Sequence, residues 1–185
     1  ISHLHTLGIA SAVSTNLSIE SSKQIRNVIR SDPDYLKISL SGYYPETYNI
    51  THSGGNINLV KSNLYKLKYY MEKYRLSTFV EVNFHLYKHN IGDDLKKMQS
   101  LCNELGFLLS TTYANVTPVE RLINYREGKI DDEAKKILDL LIVDIDKGLD
   151  ITREYRNEPC RFLSNQININ WDRSVPICCV SFDAE

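Results

Sequence analysis

The feature that most constrains this sequence is the alternation of short apolar runs with longer segments whose apolar residues recur at helical spacing. The short runs span residues 9–13, 35–40, 79–86 and 107–112. A chain that alternates strands and helices in this way forms a parallel sheet, because each return to the same edge needs a crossover helix. The sequence therefore predicts an α/β fold.

Capping residues and helix breakers set the bounds of the first two long helices. Ser21 or Ser22 is a suitable N-cap for one helix, and Pro33 marks its end because proline disfavours helical geometry in the preceding residue. Asn56 is a suitable N-cap for the next helix, whose apolar residues recur at steps of four and three. Each of these helices is expected to bury one face.

Two further helices are predicted after the third strand. The first places Cys102 on an apolar stripe that ends at Gly106, so Cys102 is expected to be a core residue. The second begins at Asp131 or Asp132 and is predicted to run as a single helix to Gly148.

The pattern changes after Pro159. Ile167, Ile169 and Trp171 alternate with polar residues, and alternation resumes at Val175 after a turn at residues 172–174. Alternation with period two is typical of strands, so a β-hairpin is predicted here. We therefore expect a module boundary between Gly148 and Cys160, with residues 1–150 in one module and 151–185 in another.

Composition excludes several classes of protein. The formal net charge of −1 gives no electrostatic basis for binding nucleic acid. The longest candidate segment, residues 138–143, is far shorter than the roughly 20 residues that span a bilayer. No membrane partner is therefore expected. The four cysteines include an adjacent pair, which seldom forms a disulfide framework, so a reduced, cytoplasmic setting is predicted.

Several phrases of the sequence resemble the radical SAM superfamily in their order and spacing. The Ser-Thr-Asn run at residues 14–16 is similar to the family's Thr-Asn-Gly after its third strand. Residues 37–42 are similar to its Ser-Leu-Asp-Gly phrase after the fourth strand, and residues 80–90 to its fifth strand. Cys160, residues 167–172 and residues 175–179 resemble the opening of a SPASM or twitch extension. Together these phrases cover nearly the whole chain.

This resemblance implies a partial (β/α) barrel of the TIM-barrel type, containing strands three to six, followed by the hairpin extension. It further implies an oxidoreductase that cleaves S-adenosylmethionine reductively and abstracts a hydrogen from a small-molecule or peptide substrate. The implied cofactors are S-adenosylmethionine and 4Fe-4S clusters, with a reductase or flavodoxin as electron donor. The alternative is a non-catalytic, barrel-derived binding module that has lost the catalytic cluster.

The chain departs from the family pattern in two ways. Leu17 and Arg173 stand where the family usually has glycine, and Ser41 stands where it often has aspartate. The sequence also contains neither the C-x3-C-x2-C triplet that binds the catalytic cluster nor the Gly-Gly-Glu phrase. We expect both motifs upstream of Ile1, and we expect the isolated chain to be inactive.

Four polar residues are the candidate cofactor-binding residues, because the C-terminal ends of parallel strands gather ligand groups at one mouth. They are Asn16, Ser39, Ser41 and His85. Hydroxyl and amide groups suit the binding of a ribose or a carboxylate. The alternatives are a turn or cap role for Asn16, Ser39 and Ser41, and simple packing for His85. His52 and His89 are predicted to lie in loops.

Three cysteines are the candidate metal ligands. The resemblance implies that Cys160 and Cys178, with Cys179 as a further candidate, bind part of an auxiliary iron-sulfur cluster. The alternative is a buried, reduced pair of thiols, since free cysteine is among the most buried residue types. No close Cys or His spacing supports a zinc site.

Overall fold

The structure is a computed structural model that describes residues 1–116, 119–130, 132–155, 159, 165, 167–170 and 173–176. The chain divides into two compact units, Ile1–Tyr113 and Ala114–Glu185, and each is described by itself. The predicted module boundary between Gly148 and Cys160 stays a prediction. Among the residues described, no helix is both long and apolar enough to cross a bilayer.

The first unit alternates strands and helices. Its elements are α1 (Ser2–Thr6), β1 (Ala12–Thr15), α2 (Ser22–Arg30), β2 (Tyr35–Leu40), α3 (Pro45–Thr51), α4 (Ile57–Tyr74), β3 (Phe79–Leu86), α5 (Asp93–Leu105) and β4 (Leu108–Tyr113). The helices described in the second unit are α6 (Val119–Arg126), α7 (Asp132–Leu140) and α8 (Ile145–Tyr155).

The four strands of the first unit form one parallel sheet in the order β1-β2-β3-β4. The predicted α/β class and the parallel sheet are thus confirmed. Because crossovers between parallel strands are right-handed, consecutive strand order places every crossover helix on the same face of the sheet. A (β/α) barrel has all its crossover helices on one face of the sheet, but some open sheets share this arrangement. The barrel type therefore stays a prediction.

The hydrophobic core lies between this sheet and its helices. Alternate residues of β2 and β3 are buried there together with residues of α2, α4 and α5. The buried set includes Ile29, Leu36, Ile38, Leu40, Val60, Leu64, Leu67, Val80, Val82, Phe84, Met98 and Cys102. Full burial of an aliphatic or aromatic side chain contributes about 1.5–3 kcal/mol, so this layer dominates the stability of the unit. The opposite side chains of the same strands form a second face.

The predicted helix ends are confirmed where capping residues define them. The Ser21 hydroxyl accepts a hydrogen bond from the Gln24 N–H at 3.4 Å, and the Asn56 side-chain oxygen accepts one from Leu59 N–H at 3.1 Å. Helix α5 ends at Gly106, whose φ of 69° is left-handed. Cys102 is fully buried, as its position on the apolar stripe predicted.

Two predicted boundaries are wrong. Strand β1 begins at Ala12 rather than at Ile9, which is 49% exposed. The single helix predicted through Gly148 is two helices, and Gly148 lies inside the second one. The break has a local cause, because the Asp144 carboxylate accepts a hydrogen bond from Asp146 N–H at 2.9 Å and so caps α8. Helices α1, α3 and α6 were not predicted.

The predicted turn near residue 173 is present. Asn170 N–H donates to the Ser174 carbonyl oxygen at 3.0 Å, and Arg173 N–H donates to the Asn170 carbonyl oxygen at 3.0 Å. Residues 167–170 and 173–176 are not in strands. Trp171 and Ile177 lie outside the described residues, so the β-hairpin stays a prediction.

Candidate functional site

The face of the sheet opposite the helices is mostly polar, with the exposed side chains of Phe79 and Leu108 at the beginning of β3 and β4. In a parallel sheet, residues paired in register have side chains on the same face. The pairs Ser14–Lys37, Ser39–Asn83 and His85–Thr112 therefore share one face. We call this surface the polar face, and it comprises Ser14, Tyr35, Lys37, Ser39, Glu81, Asn83, His85, Ser110 and Thr112.

Glu81 is the centre of a hydrogen-bond network on the polar face. Its carboxylate accepts hydrogen bonds from the hydroxyl groups of Ser110 and Tyr35. These two bonds, with the nearby Lys37 charge, lower the pKa of Glu81. Burial and the Glu81 carboxylate raise the pKa of Tyr35 to about 12. Glu81 is therefore ionised and Tyr35 is neutral at physiological pH, and each oxygen of the carboxylate accepts one hydrogen bond.

This network fixes the orientation of the Asn83 amide. The Ser110 hydroxyl donates its proton to Glu81, so it can only accept from Asn83. The Asn83 nitrogen accordingly donates to Ser110 Oγ at 2.8 Å and to Thr112 Oγ1 at 2.9 Å. The Asn83 side-chain oxygen is buried and has no hydrogen-bond partner among the described residues. A buried acceptor without a donor is available to a ligand.

Ser39 and His85 flank Asn83 on the polar face. Burial, together with the charge of Lys37 and the ring of His52, lowers the pKa of His85. The imidazole is therefore neutral at physiological pH, with one nitrogen as donor and the other as acceptor. The Ser39 hydroxyl is half-buried and pairs in register with Asn83. The structure thus brings the predicted residues Ser39 and His85 to one end of neighbouring strands.

Ser41 is engaged in the loop that follows β2. Its hydroxyl is buried, hydrogen-bonds to the Thr51 hydroxyl and lies 2.9 Å from His52 Nδ1. The His52 ring stacks on Tyr48, with ring centroids 4.3 Å apart. Burial lowers the pKa of His52. These contacts favour the turn role for Ser41, although they leave its predicted cofactor contact untested.

Asn16 also has a local hydrogen-bond partner. It lies after β1, is exposed, and its side-chain oxygen accepts a hydrogen bond from Ser18 N–H at 3.0 Å. This is the geometry of an Asx turn. The next residue, Leu17, has a left-handed backbone with φ of 56° and a side chain that is only 3% exposed. The turn is therefore held both by Asn16 and by the burial of Leu17.

The described cysteine does not fit an iron-sulfur cluster. Cluster ligation requires thiolates, and burial raises the pKa of Cys102 to about 12. Among the residues that the structure describes, no group of three or more Cys, His, Asp or Glu side chains could hold a metal ion. Cys160, Cys178 and Cys179 lie outside the described residues. Their predicted role in an auxiliary cluster stays a prediction.

A serine, a histidine and an aspartate meet near the beginning of β1 and β2, but they do not form a catalytic triad. Ser11 Oγ and Asp34 Oδ2 both approach His5 Nε2, at 3.3 Å and 3.0 Å, and Ser11 also donates to Asp34 at 3.1 Å. A triad requires the nucleophile and the carboxylate to contact different ring nitrogens. The cluster instead connects α1 with the loop before β2.

No protein-family model matches the chain, and no curated protein matches it. The class of this protein is therefore defined by its fold, an α/β unit with a parallel sheet, and by the polar face of that sheet.

The polar face can bind a small polar ligand. Its groups are neutral donors and acceptors, apart from Lys37 and the ionised Glu81, whose two oxygens each accept one hydrogen bond. The unpartnered Asn83 oxygen and the Ser39 hydroxyl fit the hydroxyl groups of a ribose, which donate and accept hydrogen bonds without charge. Lys37, Glu81 and Asn83 were missed by the sequence analysis, because their arrangement depends on strand register.

Proposed function

We propose that this chain is part of a radical SAM oxidoreductase and that the polar face near the ends of β2 and β3 contributes to its S-adenosylmethionine site. The proposal rests on one observation: Ser39, Asn83 and His85 place neutral hydrogen-bonding groups together at the C-terminal end of a parallel sheet with consecutive strand order. In barrel enzymes built from parallel strands, this end contains the ligand site.

The backbone supports the resemblance at the two positions where the family usually has glycine. Leu17 has a φ of 56° and Arg173 has a φ of 73°, both in the left-handed region that glycine adopts without strain. The chain has glycine at position 42, as the family does, and there the reason is the space available rather than the backbone conformation. A Cβ on Gly42 would lie 2.6 Å from the backbone nitrogen of Tyr48, so only glycine fits there. These local geometries agree with the family's glycine pattern.

In this proposal the residues of the chain bind and orient the cofactor. Ser39 hydrogen-bonds a ribose hydroxyl group, and the neutral His85 ring lies on the same face of the sheet. When bound, S-adenosylmethionine would supply the means of abstracting a hydrogen atom from a small-molecule or peptide substrate, after one electron from the donor cleaves it to methionine and a 5'-deoxyadenosyl group. The electron donor would be a reductase or a flavodoxin, and the setting would be the cytoplasm.

The cysteines that bind the catalytic 4Fe-4S cluster would have to come from outside these residues. The sequence has no C-x3-C-x2-C triplet, and Cys102 is buried and protonated. In the proposal, Cys160, Cys178 and Cys179 contribute to an auxiliary cluster. The described residues do not fit a cluster.

A second candidate is a non-catalytic binding module derived from the same barrel. It is favoured by the missing cysteine triplet together with the absence of any metal-binding group among the described residues. Such a module would use the same polar face to bind a small molecule, but it would not cleave S-adenosylmethionine.

The test uses the protein encoded by the complete reading frame, prepared and reconstituted without oxygen. Iron and sulfide are measured, and the protein is then incubated with dithionite and S-adenosylmethionine. The proposal predicts bound iron and sulfide and the formation of 5'-deoxyadenosine. An iron-free, colourless protein that forms none of this product would contradict it. A protein that binds S-adenosylhomocysteine but remains iron-free would identify the binding module.

A further inference from the structure

We infer that Lys37 and Asn83 form a subsite for a substrate that has a phosphate or carboxylate group close to a hydroxyl group. The inference rests on the proposed function only for the identification of this ligand as the substrate. Its basis is a lysine that forms no direct ion pair with a described carboxylate, together with an unpartnered buried acceptor on the neighbouring strand of the polar face.

Lys37 provides the positive charge of the subsite. It is half-buried in the middle of β2, and it forms no ion pair with any carboxylate that the structure describes. Glu81 is its register partner on β3, but the oxygens of Glu81 already accept hydrogen bonds from Tyr35 and Ser110. The Lys37 charge acts on the ionised Glu81 carboxylate without a direct ion pair, so the ammonium group can still bind an anionic group of a ligand.

Asn83 provides the acceptor. The hydrogen bonds from its nitrogen to Ser110 and Thr112 prevent the amide from reversing, because Ser110 must donate to Glu81. Its oxygen is therefore held without a partner, and the residue is only 3% exposed. An unsatisfied buried carbonyl costs about 1–3 kcal/mol, which a hydroxyl donor from the ligand would recover.

The spacing of the two residues limits the size of the ligand. Lys37 pairs with Glu81, and Asn83 is two residues further along β3, on the same face. Adjacent strands lie about 4.8 Å apart, and successive residues on one face are about 6.6 Å apart. With the length of the lysine side chain, an anion and a hydroxyl group on the next one or two carbon atoms can reach both residues. A phosphorylated polyol or a hydroxy acid has this chemistry.

Binding is tested with glycerol 3-phosphate, malate, glycerol and inorganic phosphate as probes, by titration of the complete protein in a calorimeter. The variants are Lys37→Gln, Lys37→Arg and Asn83→Ala, with Lys23→Gln as a control that removes an exposed charge from α2. Thermal unfolding shows which variants are folded. If Asn83→Ala does not fold, the two Lys37 variants still decide the result.

We expect glycerol 3-phosphate to bind and glycerol not to bind. Lys37→Gln should weaken binding about tenfold or more, while Lys37→Arg and Lys23→Gln should stay close to wild type. Inorganic phosphate should bind more weakly, because it has no carbon-bound hydroxyl group for Asn83. Equal affinity of Lys37→Gln and Lys23→Gln, or no binding of glycerol 3-phosphate and no binding of malate, would overturn the inference.

Titration with S-adenosylhomocysteine separates this inference from the proposed function. If Lys37→Gln weakens S-adenosylhomocysteine binding to the same extent, Lys37 binds the carboxylate of the cofactor and the substrate subsite is refuted. If S-adenosylhomocysteine does not bind while glycerol 3-phosphate binds in a Lys37-dependent manner, the proposed function fails and the anion subsite is supported.

Discussion

The side-chain nitrogen of Asn90 lies 2.6 Å from the carbonyl oxygen of Ser41 and joins the loop after β3 to the end of β2. The same nitrogen donates to the carbonyl oxygen of His85 at 2.8 Å, while the Asn90 side-chain oxygen accepts from Tyr87 N–H at 2.8 Å. Asn90 is fully buried. One side chain thus fixes the relative position of two strand ends that border the candidate site.

Replacing this residue should destabilise the first unit. Asn90→Ala removes three hydrogen bonds and leaves buried carbonyl groups without a donor, so we expect a loss of about 2–4 kcal/mol in the free energy of unfolding. Urea denaturation measures this loss. The control is Asn27→Ala on the exposed side of α2, which should change stability by less than about 0.5 kcal/mol. Equal effects of the two substitutions would contradict the assigned role of Asn90.

Gly42 is required by a close approach of two backbone segments. A Cβ at this position would lie 2.7 Å from the Cα of Tyr48, at the middle of α3. We expect Gly42→Ala to destabilise the protein by about 1–3 kcal/mol, because α3 must move. The matched variant is Gly148→Ala inside α8, where the nearest atom, on Val143, is 3.7 Å away. This variant should be more stable by up to about 1 kcal/mol. Thermal unfolding should show a lower midpoint temperature for Gly42→Ala and a higher one for Gly148→Ala. Shifts of the same sign would show that the close approach of Tyr48 does not require glycine at position 42.

Leu17 combines an unfavourable backbone conformation with a buried side chain. Leu17→Gly relieves a left-handed backbone that costs about 1–2 kcal/mol, but it removes a core side chain whose truncation costs about 2–5 kcal/mol. Net destabilisation is expected. Arg75 at the end of α4 has the same left-handed conformation, with φ of 53°, but an exposed side chain. Arg75→Gly should therefore stabilise the protein by about 1 kcal/mol. A stabilising Leu17→Gly substitution, measured by urea denaturation, would show that the leucine side chain contributes little.

Stability should depend on pH through His52. Burial lowers the pKa of His52 in the folded protein below its ordinary value of about 6.5, so the unfolded chain binds the proton more tightly. The contribution of His52 to the free energy of unfolding is fully present above about pH 6.5 and is lost as the pH falls through the folded-state pKa. His85 acts in the same direction, since burial also lowers its pKa.

We expect the free energy of unfolding to fall between about pH 7.5 and about pH 5, as measured by urea denaturation at each pH. His52→Gln should flatten this dependence in part, because His85 still titrates. The control substitution at the exposed His3, His3→Gln, should leave the wild-type slope unchanged. A wild-type slope in His52→Gln would show that His52 is not the source of the effect.

The strongest sequence signals predicted the centre of the fold. Strands β2 and β3 have the predicted bounds, because apolar residues alternate there with Lys37, Ser39 and Glu81 between clear helix signals. Helix α3 was missed because it is short and has few apolar residues, although Pro45 at its first turn was an available signal. The break before α8 was missed because Asp144 was not recognised as a cap.

The candidate site could be predicted only in part. The sequence placed Ser39 and His85 at strand ends, but the network of Glu81, Asn83 and Ser110 depends on the register between β3 and β4. Register follows from the packing of whole strands and cannot be derived from the spacing of individual residues.

The central claim is that the polar face at the end of β2 and β3 binds a nucleoside ligand, and Ser39 tests it most directly. Equilibrium dialysis of the complete protein against S-adenosylhomocysteine compares wild type with Ser39→Ala and with Ser100→Ala, which removes an exposed hydroxyl from α5. We predict about tenfold weaker binding for Ser39→Ala and no change for Ser100→Ala. Equal binding by all three proteins would contradict the claim.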